Sequence, residues 1–318
     1  MGLQGTHLTA RYEIRIDNEE SVPYKDSIAE SANENAFTLI ELTIVLTVIG
    51  LIVGGIMVGS SLIRSAELQS VISDADRFVR AAKLFRDKYK YLPGDFPNAE
   101  SMWGADTGCG AAAGSGDTDQ GPNERKRRTC NGNGDGYIGG YNQAAFPTAG
   151  SIGDLAPWNR EPQRGWQHLS NAGFIEGSFS GVVKKFYVPG LSVPSSRLSD
   201  AGGFNLFYAF PISNANTSPD GVAWDSLFPG TYGHVVEFGI AKNVRVGSPF
   251  DGPILTAAEA ASIDSKIDDG SPARGQVLTY TPASANSPSC VTTSDPATAA
   301  YATTVEGPSC ALIFVTGL

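Results

Sequence analysis

The stretch Phe37-Thr38-Leu39-Ile40-Glu41-Leu42-Thr43-Ile44-Val45-Leu46 opens an apolar run that ends only at Ile63, and the 22 residues from Leu42 to Ile63 carry no charge. At about 1.5 Å per residue, some 20 helical residues cross a hydrocarbon layer of roughly 30 Å, whereas the apolar part of a removable secretory signal is only about 7–15 residues long. The run is therefore read as a membrane-spanning helix. Its one charge, Glu41, lies near the start, where a carboxylate in hydrocarbon needs a partner or a proton. Gly50 with Gly54, and Gly55 with Gly59, repeat the GxxxG spacing that lets helix backbones approach each other closely.

Past Ile63 the periodicity changes without stopping. Leu68, Val71, Ile72, Ala75, Phe78, Val79, Ala82, Phe85 and Tyr89 recur at spacings of three and four, and charged residues from Arg64 to Lys90 fill the opposite face. Leu92-Pro93-Gly94 halts the pattern. One helix is predicted over 37–91, roughly 80 Å long at 1.5 Å per residue. Its front, 37–63, is oily, and its rear is an amphipathic stripe that needs a folded domain to cover it.

The residues at the start of the run have a further meaning. Asn35-Ala36 followed by Phe37-Thr38-Leu39-Ile40-Glu41-Leu42-Thr43-Ile44-Val45-Leu46 combines a small residue, an aromatic, a glutamate four positions later and an uncharged helix. This resembles the processing and assembly signature of type IV pilins and of the pseudopilins of type II secretion systems. The resemblance implies a leader peptide, 1–36, that a prepilin peptidase removes between Ala36 and Phe37, with methylation of the new amino group of Phe37. It implies that Glu41 attracts the amino terminus of a neighbouring subunit. It also implies a bacterial inner-membrane, single-pass protein with its head in the periplasm or outside the cell. Such a subunit passes from membrane lipid through an inner-membrane assembly platform into a pilus or pseudopilus of other pilin or pseudopilin subunits, and is itself no enzyme. The chain departs from the family pattern in three places. Ala36 replaces the usual Gly, Val58 stands where many pilins have proline, and the leader sets Arg11, Arg15 and Lys25 against seven acids where pilin leaders are normally basic.

Residues 92–318 read as a globular extracytoplasmic head. The chain has 318 residues, 37 of them Gly and 19 Pro without a collagen-like period, so much of it must be turn and loop, above all from Gly94 to about Gly165. Strands are expected at 182–188, 204–210, 234–240, 276–281 and 311–315, in an antiparallel sheet of four or five. A short helix is expected to close at Gly173. A second, opened by the capping box Thr256-Ala257-Ala258-Glu259, is expected to run to Ile267. The expected fold class is α+β.

Four cysteines bracket two loops of similar size, and sequential pairing, Cys109 with Cys130 and Cys290 with Cys310, is expected of an exported head. A four-thiolate zinc site is disfavoured because no CxxC pair is present. Asn131, Asn133 and Asp135, followed by Gly136, place oxygen side chains at alternating positions before a sharp turn, which is the first half of a calcium loop. The second half is missing, since Asn142 stands where a bidentate Glu is needed. Calcium is the one cofactor the sequence suggests. Asp264 and Asp268 share a helix face and fit either a cation or a capping role.

The formal net charge of −10 argues against a general polyanion binder, so nucleic acid is not an expected partner. His7, His168 and His234 are isolated, and no HExxH, GxSxG or P-loop spacing accompanies them, so His168 and His234 are read as packing residues. The alternative to a filament subunit is a membrane-tethered extracytoplasmic enzyme or ligand-binding protein that does not polymerise.

Overall fold

A computed structural model describes residues 38–106, 127–139, 161–181, 188–209, 227–240, 250, 252–280 and 289–318. The chain forms two compact units, Met1–Ile56 and Met57–Leu318. The described part of the first is the start of helix α1 (Leu39–Tyr89). Every residue there is exposed, and none of its hydroxyls is left to seek a partner elsewhere. Thr43 Oγ1 donates to Ile40 O (2.9 Å) and Thr47 Oγ1 to Ile44 O (2.8 Å), so the helix satisfies its own polar side chains. Among the described residues α1 is the one helix long and apolar enough to cross a membrane.

In the second unit α1 buries Leu68, Val71, Ala75, Phe78, Ala81, Ala82 and Phe85, the stripe that the three-four spacing predicts. Asp76 and Arg80 pair on the outer face. The helix stops at Lys90, whose φ of 66° is left-handed and whose N–H closes back on Arg86 O at 2.8 Å; Pro93 then bars any continuation.

The stripe packs on a four-stranded antiparallel sheet of order β1 (Gly202–Ala209), β2 (Gly233–Ile240), β4 (Leu312–Val315), β3 (Val277–Thr279). Phe204 pairs with Phe238, Leu206 with Val236, and Val236 in turn with Phe314, so one face of the sheet joins the α1 core. Phe78 bridges the layers, its ring edge-on to Trp166 (4.9 Å) and Phe204 (5.1 Å). The other face is buried too: Phe207, Val235, Leu278 and Ile313 pack with Leu227 and Tyr280 in a second apolar cluster. Four expected strands form within a residue or two of their predicted bounds. The fifth, 182–188, lies outside the described residues except for Val188.

Three further helices are formed among the described residues: α2 (Ala99–Trp103), α3 (Glu161–Asn171) and α4 (Ala257–Ile267). Helix α4 has the predicted capping box, with Thr256 Oγ1 accepting from Glu259 N and Glu259 Oε2 from Thr256 N. Helix α2 was not expected, because Gly94 to Gly165 read as loop throughout. The Cys290–Cys310 disulfide forms as predicted, with Cα atoms 4.9 Å apart. Cys130 is also disulfide-bonded, and its expected partner Cys109 lies outside the described residues. The architecture is α+β.

Candidate functional site

Helix α3 is buried along nine consecutive residues, Glu161 to Leu169, although its sequence, Glu-Pro-Gln-Arg-Gly-Trp-Gln-His-Leu, is mostly polar. A polar helix is tolerated inside only when its side chains are hydrogen-bonded, and several of these reach the loops around residues 94, 106 and 128–139. Arg164 forms a buried ion pair with Asp106 (3.0 Å) and donates to Gln167 Oε1 (2.9 Å). Gln167 Nε2 donates to Arg128 O (2.8 Å). His168 accepts the Gly94 N–H at Nδ1 (2.9 Å), which places its own proton on Nε2, 2.9 Å from Thr129 Oγ1. Burial, with Arg164 nearby, pulls the His168 pKa down to about 3, so the ring is neutral and structural. His234 is held likewise, accepting the Ile138 N–H at Nε2 (3.2 Å), with its pKa lowered to about 4 by burial.

Three backbones meet at the start of α3. A Cβ on Gly94 would lie 2.3 Å from Glu161 O, and one on Gly132 would lie 2.3 Å from Asp95 C, so neither position admits a side chain. The close approach brings together Asp95, from the turn after α1, the loop 131–139, and Glu161, the first residue of α3. Asp95 Oδ1 accepts from Asp135 N (3.0 Å) and Oδ2 from Gly136 N (2.9 Å). Glu161 Oε1 accepts from Asn133 N (3.1 Å) and Oε2 from Gly139 N (2.8 Å). Asp95, Asp135 and Glu161 each offer an oxygen within 4.8 Å of the others.

Two of these acids are buried, and burial is the largest cause of their pKa shifts. Asp95 rises to about 6 and Glu161 to about 8, each raised further by neighbouring carboxylates and held back by the amides it accepts. At neutral pH Glu161 therefore holds a proton. An all-oxygen set of this kind suits a hard divalent ion, which would take the place of that proton.

The predicted calcium residues divide. Asp135 joins the cluster, and Asn133 lies beside it, its Nδ2 donating to Asp135 Oδ2 (2.8 Å). Asn131 turns away, its Oδ1 accepting the Glu100 amide at the start of α2 (2.9 Å). Asp135 is faced instead by the carboxylates of Asp95 and Glu161, which are distant in sequence. The one hint of Asp95 was its place after Leu92-Pro93-Gly94, read only as a helix stop.

Asp264 and Asp268 do meet, with Asp269. Asp264 accepts from Tyr301 Oη (2.8 Å) and Gly270 N (3.1 Å), and Asp268 accepts from the amides of Gln276 and Val277, so the group closes α4 against β3 and the disulfide loop. Burial raises Asp264 to about 8.

In the apolar stretch long enough to span a membrane, Glu41 has a partner within its own chain. Its Oε2 accepts from Thr38 N (2.9 Å) and Thr38 Oγ1 (2.8 Å), and Glu41 N faces Thr38 Oγ1 (3.3 Å). This is the same Thr-x-x-Glu box that opens α4, and the pattern was legible in the sequence. A Cβ at Gly50, Gly54, Gly55 or Gly59 meets nothing within 4 Å, so within a single chain these glycines fit no surface. The leader, Ala36 and Phe37 lie outside the described residues. No family model, curated protein or solved structure compared with the chain matches it.

Proposed function

We propose that the chain is a structural subunit of a type IV pilus or type II secretion pseudopilus, cut between Ala36 and Phe37 by a prepilin peptidase and assembled through helix α1. The observation that carries this reading is the division of one 51-residue helix into an uncovered apolar front and a rear packed into an α+β head. An apolar surface of that length is unstable in water, and it can be covered either by lipid or by identical helices. Its glycines suit the second cover, because small residues let backbones approach where lipid gives no hydrophobic drive. On this reading the membrane holds the subunit only until assembly, the platform in the inner membrane supplies the other subunits, and the protein catalyses nothing itself. The capping box readies the Glu41 carboxylate at the helix start, where a neighbour's freed amino group can add the charge partner that Thr38 does not supply. Calcium belongs to the same reading as a ligand of the 131–139 loop through Asp95, Asp135 and Glu161.

Mass spectrometry of the protein from cells with an active prepilin peptidase tests the first step. A chain beginning at methylated Phe37 is expected, and an intact leader refutes the reading. Glu41→Ala tests the second: loss of filaments or secretion with normal membrane insertion is expected, whereas unchanged assembly favours a tethered protein that never polymerises.

A further inference from the structure

The chain contains two Asn-Gly steps, Asn131-Gly132 and Asn133-Gly134, and both fall in the loop that faces Asp95 and Glu161. In such a step the glycine amide nitrogen can reach the asparagine side-chain carbonyl because no Cβ shields it. The two steps have the same local sequence and different surroundings.

At position 133 the surroundings match the needs of that attack. The amides of Asp135 and Gly136, the two residues after Gly134, donate to Asp95 at 3.0 and 2.9 Å. A carboxylate thus stands beside the backbone that carries the Gly134 N–H and can serve as its proton acceptor. Asn133 Oδ1, the oxygen that would gain charge, accepts the Asp135 N–H at 3.0 Å, and the departing Nδ2 is held by Asp135 Oδ2 at 2.8 Å. Asn133 and Gly134 are exposed, so water has access. At position 131 the Gly132 N–H is committed to Phe96 O at 3.0 Å, a carbonyl that takes no proton. The backbone there is also wedged against Gly94 and Asp95, and the Asn131 side chain is drawn off to Glu100.

We propose that Asn133 is a self-modification site, converted by its own loop to aspartate or isoaspartate while Asn131 is spared. Gly134 N bonds to Asn133 Cγ as its proton passes to Asp95. The Cγ–Nδ2 bond then breaks, and the nitrogen leaves as ammonia with that proton, relayed through water. Water adds to the resulting succinimide and opens it at either carbonyl. The net change is asparagine and water to acid and ammonia, with no oxidant or reductant. The product places a new carboxylate beside Asp135 and near Asp95 and Glu161. It removes the amide contact that held Asn133 to Asp135 and makes the loop a better ligand for a divalent cation.

The test is an incubation of the full chain in detergent micelles at mildly alkaline pH, with and without urea, followed by digestion and fragment mass spectrometry that assigns the acid to 131 or 133. In the folded protein the product is expected at 133 about 10²-fold faster than at 131, the scale of one positioned general base. In urea the two rates are expected to converge, because the loop no longer distinguishes them. Equal rates at the two sites in the folded protein, no product at either, or a slower reaction at 133 folded than unfolded overturns the proposal. Asp95→Asn is expected to remove the preference for 133; if that variant does not fold, the comparison with urea still decides.

Discussion

Replacing Glu161 with Gln should change how the stability of the head varies with pH, and the size of the change follows from the burial of this one carboxylate. Glu161 is 3% exposed, and its pKa is pushed up to about 8 from the ordinary 4.5. Between those two values the folded head binds a proton that the unfolded chain does not. Stability is therefore full below about pH 4.5 and is lost as pH rises through 8, with a limiting slope near 1.4 kcal/mol per pH unit. From pH 5 to pH 7 that amounts to roughly 3 kcal/mol, a large fraction of the total stability of a domain. Gln carries no charge at any of these values, so Glu161→Gln should flatten the profile between pH 6 and 8. Below pH 6 it should leave a shallower slope, the part due to Asp95, which titrates near 6 with the same sign. Urea midpoints of the full chain in micelles, read by tryptophan fluorescence at pH 5, 6, 7 and 8, measure this directly. Wild-type and variant profiles running parallel from pH 6 to 8 would refute the assignment of the buried proton to Glu161. Calcium chloride should flatten the wild-type profile as well, since a bound divalent ion displaces the proton, and should have little effect on the variant.

Three further experiments probe the packing. Arg64 meets Glu259 through two contacts (2.6 and 3.0 Å) at a partly exposed site, so a double-mutant cycle with Ala at each position should give a coupling of about 1 kcal/mol in denaturant unfolding; Glu259→Ala alone should cost more, because the Thr256 N–H also loses its acceptor. Lys90→Gly should stabilise the head by up to about 1 kcal/mol, since Lys90 occupies a left-handed φ of 66° at the end of α1 that glycine adopts freely; a lowered urea midpoint would contradict the capping geometry. Replacing both Cys290 and Cys310 with Ser should cost about 3 kcal/mol through loop-closure entropy for a separation of 20 residues, and the loss should vanish when wild type and variant are compared under reducing conditions.

What the sequence made legible is what periodicity and local chemistry encode. The apolar run and its three-four continuation gave α1 to within two residues at each end, the Thr256 box gave α4, and strand-forming runs between turn-rich connections gave β1, β2, β3 and β4. Helix α3 shows the limit. Its apolar residues are few, and its burial depends on partners at 94, 106, 128 and 129 that no local pattern reveals. The acidic cluster around Asp135 shows the same limit. Asn131, Asn133 and Asp135 were read from their spacing, while the acids that face Asp135 come from positions 95 and 161. The Thr38-Glu41 box was a different kind of omission, since the same pattern was recognised at 256–259 and passed over where a membrane segment drew attention to charge alone.

The polar interior of α3 has a physical consequence for the head as a whole. An apolar helix in its place would bury comparable area and would avoid the desolvation of Arg164 and Asp106, which an ion pair recovers only in part. It would also bind nothing in particular, because apolar contact is non-directional. Here the Gly94 amide, the Arg128 carbonyl and the Thr129 hydroxyl are each met by a side chain of α3, and the start of the helix fixes Asn133 and Gly139 through Glu161. A loop region rich in Gly and Asn has little apolar surface of its own with which to hold a conformation. Directional bonds from a buried helix replace that missing surface, and they fix the 131–139 backbone closely enough that two identical Asn-Gly steps, two residues apart, meet different chemistry.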